Sequence, residues 1–164
     1  MASMTQSFTI DPVTTKEDLT ATISLFKSYT QWLNLDLSFQ EFDSEMSNMP
    51  GKYTPPTGAL FLARMANGEP VGCVGLRALS SARTCEMKRL YVDPKGRGLG
   101  LGKALAERVI DEAKRLGYDA MMLDTLGHMT AALALYRELG FEEVQAYYET
   151  PLEGTVFLRL DLIA

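Results

Sequence analysis

Two opposed periodicities meet at a run of alternating glycines, and that junction constrains this chain more than any other stretch of it. Thr84–Val92 (TCEMKRLYV) is rich in apolar and β-forming residues and stops at Asp93-Pro94. Ala104–Leu116 sets Leu105, Val109, Ala113 and Leu116 at helical spacing. Between them lies Arg97-Gly98-Leu99-Gly100-Leu101-Gly102-Lys103. A strand that passes through glycines into a helix leaves the first N–H groups of that helix uncovered. Those donors, with the positive end of the helix dipole, hold a phosphate or pyrophosphate. Arg97 and Lys103 add cationic charge there, in a chain of net charge −5.

Two familiar phosphate loops fail letter by letter. G-x-x-x-x-G-K-[ST], counted back from Gly102-Lys103, would need glycine at Arg97 and Ser or Thr at Ala104. The dinucleotide pattern G-x-G-x-x-G would end on Lys103 if begun at Gly98, and on Leu101 if begun at Gly96. What stands is R-G-x-G-x-G, which by itself also fits a flexible turn. Downstream, Ala120–Thr125 (AMMLDT) reads as a buried strand. Thr130–Phe141 (TAALALYRELGF) reads as a helix with Ala132, Leu135, Tyr136 and Leu139 on one face, Gly140 just past its end and Phe141 packing as the chain leaves.

R-G-x-G-x-G resembles the acyl-CoA pyrophosphate loop of the GNAT N-acetyltransferase superfamily. Ala132–Phe141, A-x-x-L-Y-x-x-x-G-F, resembles that superfamily's second conserved block, whose tyrosine faces the thioester sulfur. The blocks stand in the family's order, and the resemblance spans residues 59–162. It implies an α/β (α+β) fold with a mixed, mostly antiparallel central sheet of about six to seven strands and about four flanking helices. It implies acetyl-CoA as cofactor, with the pantetheine arm in a cleft where strands 84–92 and 120–125 splay apart. The backbone of Leu90, Tyr91 and Val92 would pair with the pantetheine amides, the Leu90 N–H polarising the thioester carbonyl. Arg97, Gly98, Leu99, Gly100, Leu101, Gly102 and Lys103 would hold the pyrophosphate, and Ala132 and Tyr136 would flank the arm. One departure is Met129, which stands where family members commonly have an asparagine that touches pantetheine.

At 164 residues the chain reads as one N-acetyltransferase domain, 1–164, with 1–7 a flexible tail. Net charge −5 argues against nucleic acid or an anionic membrane as partner. No apolar run reaches the length of a membrane span, and Met1–Phe8 lacks a signal-peptide core. Cys73 and Cys85 fall within strand patterns without metal spacing, which suits a reducing, cytoplasmic setting. The expected state is a monomer or homodimer.

Other elements follow from local signals. Phe8–Ile10 reads as a strand. Thr14-x-x-Glu17 is a capping box before a helix whose Leu19, Ile23 and Phe26 share a face, and Ser38-x-x-Glu41 is a second, before a helix near Phe39–Met46. Pro50–Gly58 is a loop. Ala59–Met65 and Pro70–Leu79 flank Asn67-Gly68, a tight hairpin signal, and Glu143–Tyr148 and Thr155–Leu162 read as closing strands. The order is β-α-α-β-β-β-α-β-α-β-β.

Acetyl transfer to an amine needs a proton acceptor for the amine, a donor to the thioester carbonyl and a proton for the leaving thiolate. Glu86 stands within a strand, where glutamate is depleted, so it is either a general base or half of a surface pair with Lys88. Alternation puts Glu86 and Lys88 on one face, Met87 and Arg89 on the other. Some family members place a general-base glutamate at the position of Glu86. Tyr136 reads as the general acid by its place in the family block, or as a packing residue by its helical setting. His128, the sole histidine, precedes that helix and reads as solvated surface or, less simply, as a base. For the acceptor, Trp32, Asn34, Asp36, Tyr53, Tyr147, Tyr148 and Arg89 are candidate wall residues. Arg77, Lys88 and Arg89 would neutralise a substrate carboxylate, or are ordinary surface charge. The leading expectation is an acetyl-CoA-dependent N-acetyltransferase acting on a small primary amine by direct attack, with no metal. The alternatives are a non-catalytic acyl-CoA-binding module, and acetylation of a protein N-terminus or lysine.

Overall fold

The computed structural model describes residues 8–34, 41–81 and 83–163. The chain runs β1 (Phe8–Pro12), α1 (Lys16–Leu33), α2 (Phe42–Ser47), β2 (Ala59–Met65), β3 (Pro70–Ala78), β4 (Thr84–Val92), α3 (Leu101–Arg115), β5 (Ala120–Leu126), α4 (Thr130–Glu138), β6 (Glu142–Val144) and β7 (Thr155–Asp161). This is the expected element order, on a mixed, mostly antiparallel sheet of 7 strands. Boundaries moved where capping chemistry decided them. Thr15, not Thr14, caps α1, its hydroxyl accepting the Asp18 N–H at 3.0 Å. α2 begins at Phe42, with Glu41 at φ 55 as its uncapped N-cap. Asp36, Ser38 and Phe39, like residues 1–7, lie outside the described residues. In the β2–β3 hairpin Gly68 alone takes positive φ (90°), while the Asn67 side chain accepts the Glu69 N–H. α4 closes as Gly140 swings to φ 103 and Phe141 N–H bonds back to the Tyr136 carbonyl at 3.0 Å.

Sheet order is β1-β2-β3-β4-β5-β7-β6, every neighbouring pair antiparallel except β4–β5. One apolar core lies on the α3 and α4 side, the other on the α1 and α2 side. β2 serves both by alternation: Phe61 and Ala63 face the first, Leu60 and Leu62 the second.

β4 breaks that alternation. Its register against β3 jumps between Gly75↔Lys88 and Cys73↔Tyr91, a bulge in which Arg89 holds φ 60. Before the bulge Cys85 and Met87 face the α3 core. After it Leu90 and Val92 do so, and Tyr91 joins the opposite core. The extra residue therefore reverses the parity of the strand. The expectation that Arg89 points with Met87 fails here: Arg89 turns to the α2 side, onto the Phe42 ring at 5.1 Å and the Glu45 carboxylate at 3.3 Å.

α3 packs on β3 at a close approach, for a Cβ on Gly72 would lie 2.9 Å from Leu105 Cδ1. Leu105 is fully buried. We expect Leu105→Ala to lower stability by about 2–5 kcal/mol, read as a shift of the chemical denaturation midpoint.

Candidate active site

β4 and β5 pair only from Thr84↔Ala120 to Glu86↔Met122. Beyond that point they part, and a cleft of about 600 Å³ opens between them. Leu90, Tyr91 and Val92 form one wall, and Leu123, Asp124 and Thr125 the other. Ala132, Leu135 and Tyr136 of α4 close one side, with Tyr29 and Trp32 of α1 opposite. The register of β4 against β3 skips from Lys88 to Tyr91, and pairing with β5 ends at Glu86. The Cys73 thiol donates to the Arg89 carbonyl at 3.5 Å, while Leu90 stands on the cleft wall, where its backbone can meet a ligand's amides.

The glycine run sits at the end of this cleft, whose walls include Arg97 and Gly102. Gly98 (φ 83) and Gly100 (φ 74) hold conformations that L side chains resist, and nothing lies within 4 Å of either Cβ position. Gly100 is the N-cap of α3, with no side chain capping it. The first-turn N–H groups therefore face outward, as a pyrophosphate requires. Leu99 is exposed, whereas the Leu101 side chain is in the core, so only its backbone can meet a ligand. Lys103 Nζ is bound to Glu138 at 2.8 Å, and Arg97 lies over the Trp32 ring at 5.3 Å with its Nε on the Val92 carbonyl.

Tyr136 is buried, its ring edge-on to Phe141 at 5.7 Å, and it lines the cleft. Burial raises its pKa well above that of a free phenol, so it stays protonated throughout the physiological range. Tyr29, on the facing wall, is likewise pushed up to about 12 by burial. His128 and Met129 line the cleft too, and the Thr125 hydroxyl contacts the Met129 sulfur at 3.7 Å.

Glu86 is neither a surface charge nor a cleft residue. It is 1% exposed, with Oε1 on Arg77 Nε at 2.8 Å and Oε2 accepting the Tyr147 hydroxyl at 2.5 Å, and it lines neither cavity at the strand divergence. Its position before the bulge, on the half of β4 still paired to β5, holds it back from the opening.

The carboxylate that does reach the opening is Asp124, in β5 just past the divergence. It lines the cleft and a second, smaller cavity of about 60 Å³ that shares its walls. The Tyr148 hydroxyl donates to its Oδ2, and Lys88 Nζ stands 3.9 Å from its Oδ1. Lys88 is 6% exposed, and burial lowers its pKa against the opposing pull of Glu86 and Asp124. Asp124 was readable by the rule that singled out Glu86, an acid inside an apolar strand. Tyr29 carried no such signal.

The other acceptor candidates separate. Arg89 lines both cavities. Trp32 lies beside Arg97, toward the glycine run. Tyr53 is 2% exposed beneath β3, edge-on to Phe26 at 6.0 Å, and lines neither cavity: it is a core residue. Tyr147 and Tyr148 are in the loop after β6, which ends at Val144 instead of Tyr148 because both rings turn inward onto Phe157, each at 5.2 Å. Cys73 and Cys85 are buried free thiols, and burial pushes the Cys85 pKa up to about 12, which removes both as nucleophiles.

Residues 22–141 match the acetyltransferase (GNAT) family. An uncharacterised N-acetyltransferase of Schizosaccharomyces pombe is 38% identical over 95% of this chain and 96% of its own length. N-acetylaspartate synthetase of Danio rerio is 35% identical over 68% of this chain, which spans only 39% of that protein. A solved structure from Klebsiella pneumoniae, assigned as an acyl-CoA N-acyltransferase, superposes with TM-score 0.75 at 29% identity, covering 95% of this chain and 98% of its own. With the glycine run, the parted strands and the tyrosine helix in one cleft, this chain belongs to the GNAT family of acetyltransferases, and it is an N-acetyltransferase that uses acetyl-CoA.

Proposed function

We propose that this enzyme acetylates the primary amine of a small molecule by direct attack on the thioester. The observation that carries this is the cleft itself, which leads from an uncapped, glycine-lined helix start to a strand divergence flanked by a protonated phenol and a carboxylate. The N-terminus of α3 and the Gly98–Lys103 backbone would hold the pyrophosphate, and Leu90–Val92 and Ala132 the pantetheine arm. Acetyl-CoA supplies an activated acetyl group. The small cavity limits what approaches from the far side. The name of the zebrafish relative makes an amino acid the acceptor in that protein, which supports an acceptor of similar size here.

Each proton has an assigned place. An acceptor ammonium has a pKa near that of lysine, about 10.4, so it must lose a proton before attack. We place the first acceptor of that proton at Asp124, whose carboxylate reaches both cavities, in place of Glu86, whose two oxygens are already engaged. Glu86 then holds Arg77 and Tyr147 in position. As the N–C bond forms and the C–S bond breaks, the Tyr136 hydroxyl gives its proton to the departing sulfur, the nitrogen's second proton passes through solvent to the Tyr136 oxygen, and the Leu90 N–H stabilises the carbonyl oxygen. We read residues 1–164 as one domain, acting in the cytoplasm as a monomer or homodimer, a setting supported by its two unpaired thiols. Net charge −5 supports a small-molecule partner over nucleic acid or an anionic membrane.

The reading is tested by screening small amines for thiol release from acetyl-CoA. Turnover with at least one is expected, and Tyr136→Phe should lower its kcat about 10- to 1,000-fold with little change in acetyl-CoA affinity. Unchanged kcat, where chemistry is rate-limiting, would make Tyr136 a packing residue. For the base, Asp124→Asn should shift the ascending limb of the pH–rate profile upward. Glu86→Gln should keep the wild-type profile and instead lower the thermal midpoint, because it strips Arg77 of its charge partner. The opposite result returns the base to Glu86.

CoA binding has its own test. Acetyl-CoA should raise the thermal midpoint of the wild type, by about 2.7 kcal/mol of added stability at 100 times Kd. Gly100→Asp, which sets a carboxylate and a side chain at positive φ before the first turn of α3, should abolish that shift. Stabilisation by ATP or NAD in preference to CoA would overturn the assignment of the loop.

A further inference from the structure

We propose that the small cavity beside the strand divergence is a subsite for a carboxylate-bearing amine, its carboxylate held by Lys88 and its ammonium by Asp124. This rests on the reading above and adds the substrate class, an amino acid or a close analogue.

The first ground is the bulge. In an unbroken strand Lys88 and Arg89 would point to opposite faces. The φ of 60 at Arg89 brings both onto the α1 and α2 side, and both line the same cavity. Two adjacent cations thus face a space of about 60 Å³, with Asp124 the sole acid on its wall among the described residues. Glu45 and Glu86, which partner Arg89 and Arg77, stand outside that wall.

The second ground is Lys88 itself. Its side chain is 6% exposed, yet its ion-pair distance to Asp124 is 3.9 Å, too long for a hydrogen bond. An ammonium has three donors, and no hydrogen bond from Lys88 is made among the described residues. An ammonium so enclosed, on the wall of the cavity, is suited to an oxygen anion seated there. Asp124 complements it, because one carboxylate oxygen accepts from Tyr148 while Oδ1 faces Lys88. A zwitterion laid across this pair meets a cation with its carboxylate and an anion with its ammonium. Its nitrogen then lies at the edge of the larger cleft, which Asp124 also lines. The bland account is that Lys88 and Asp124 form a loose internal ion pair and receive nothing.

Binding separates these accounts without requiring turnover, so failure of this assignment is distinct from failure of the acetyltransferase reading. N-acetylglycine, N-acetylalanine and N-acetylaspartate would each be titrated calorimetrically into the CoA-saturated protein, beside the amide in which the α-carboxylate is neutralised. At least one acid should bind ten times or more tighter than its amide. Lys88→Met should erase that ratio while CoA affinity stays as in the wild type, and Lys88→Arg should retain it. Equal binding of every acid and its amide, or no binding of any, overturns the proposal and leaves an internal ion pair. A ratio that survives in Lys88→Met overturns it as well.

Discussion

Once Glu86 has paired with Met122, β4 and β5 share no further ladder contact, and the working part of the molecule follows from that divergence. Parallel strands joined through a covering helix would ordinarily pair along their full length. Here the bulge at Arg89 increases the twist of β4 at the place where pairing stops, on the opposite edge of the strand from β5. The two irregularities act together. Divergence makes the cleft, and the bulge interrupts the regular ladder of β4 beside it, with Leu90 on the cleft wall. A backbone group outside a ladder needs a side chain, water or a ligand to satisfy it, so the geometry is suited to an extended chain with amides of its own. The bulge also reverses the facing of the strand, which lets Leu90 and Val92 support the α3 core while Lys88 and Arg89 gather on the other side.

The elements and the glycine run were legible because local forces specify them. Alternating glycines before an amphipathic run place a helix start whatever surrounds it, and Gly140-Phe141 ends α4 through backbone bonds that reach only one turn back. The bulge was not legible. Positive φ is locally unfavourable for arginine, and nothing in Lys88-Arg89-Leu90 calls for it. It arises from register against β3, a strand whose place depends on the whole sheet. The misreading of Arg89 is that error carried to a side chain, and the burial of Glu86 follows from a similar cause. A glutamate in a strand reads as exposed until Arg77, directly across the ladder, and Tyr147, from a loop 61 residues along the chain, come into contact with it. Tyr53 illustrates the reverse case. A tyrosine in a proline-rich loop reads as a surface aromatic, but the missing side chain at Gly75 admits its ring beneath β3: a Cβ there would lie 2.7 Å from Tyr53 Cε1.

Arg77, Lys88 and Arg89 stand against Glu45, Glu86 and Asp124, so the formal charges of these six residues balance. Balance lets such a group be enclosed, but it does not make enclosure favourable. Desolvation consumes most of what pairing returns, and apolar residues of similar volume would stabilise a fold as well or better. The stability of the sheet therefore does not account for the array. Its internal asymmetry is more telling. Arg77 and Glu86 meet at 2.8 Å, a full hydrogen-bonded pair set back from the opening, while Lys88 and Asp124 stand apart at 3.9 Å on the cavity wall. The tight pair closes the array from within, and the loose pair faces the space where the two strands part. A site built to exchange an internal ion pair for contacts to a zwitterion needs this arrangement. Its two charges must be close enough to compensate each other when empty, yet too far apart to be satisfied. In the proposed reading, recognition of the acceptor and removal of its proton then fall on the same aspartate, in the cleft that Tyr136 also lines.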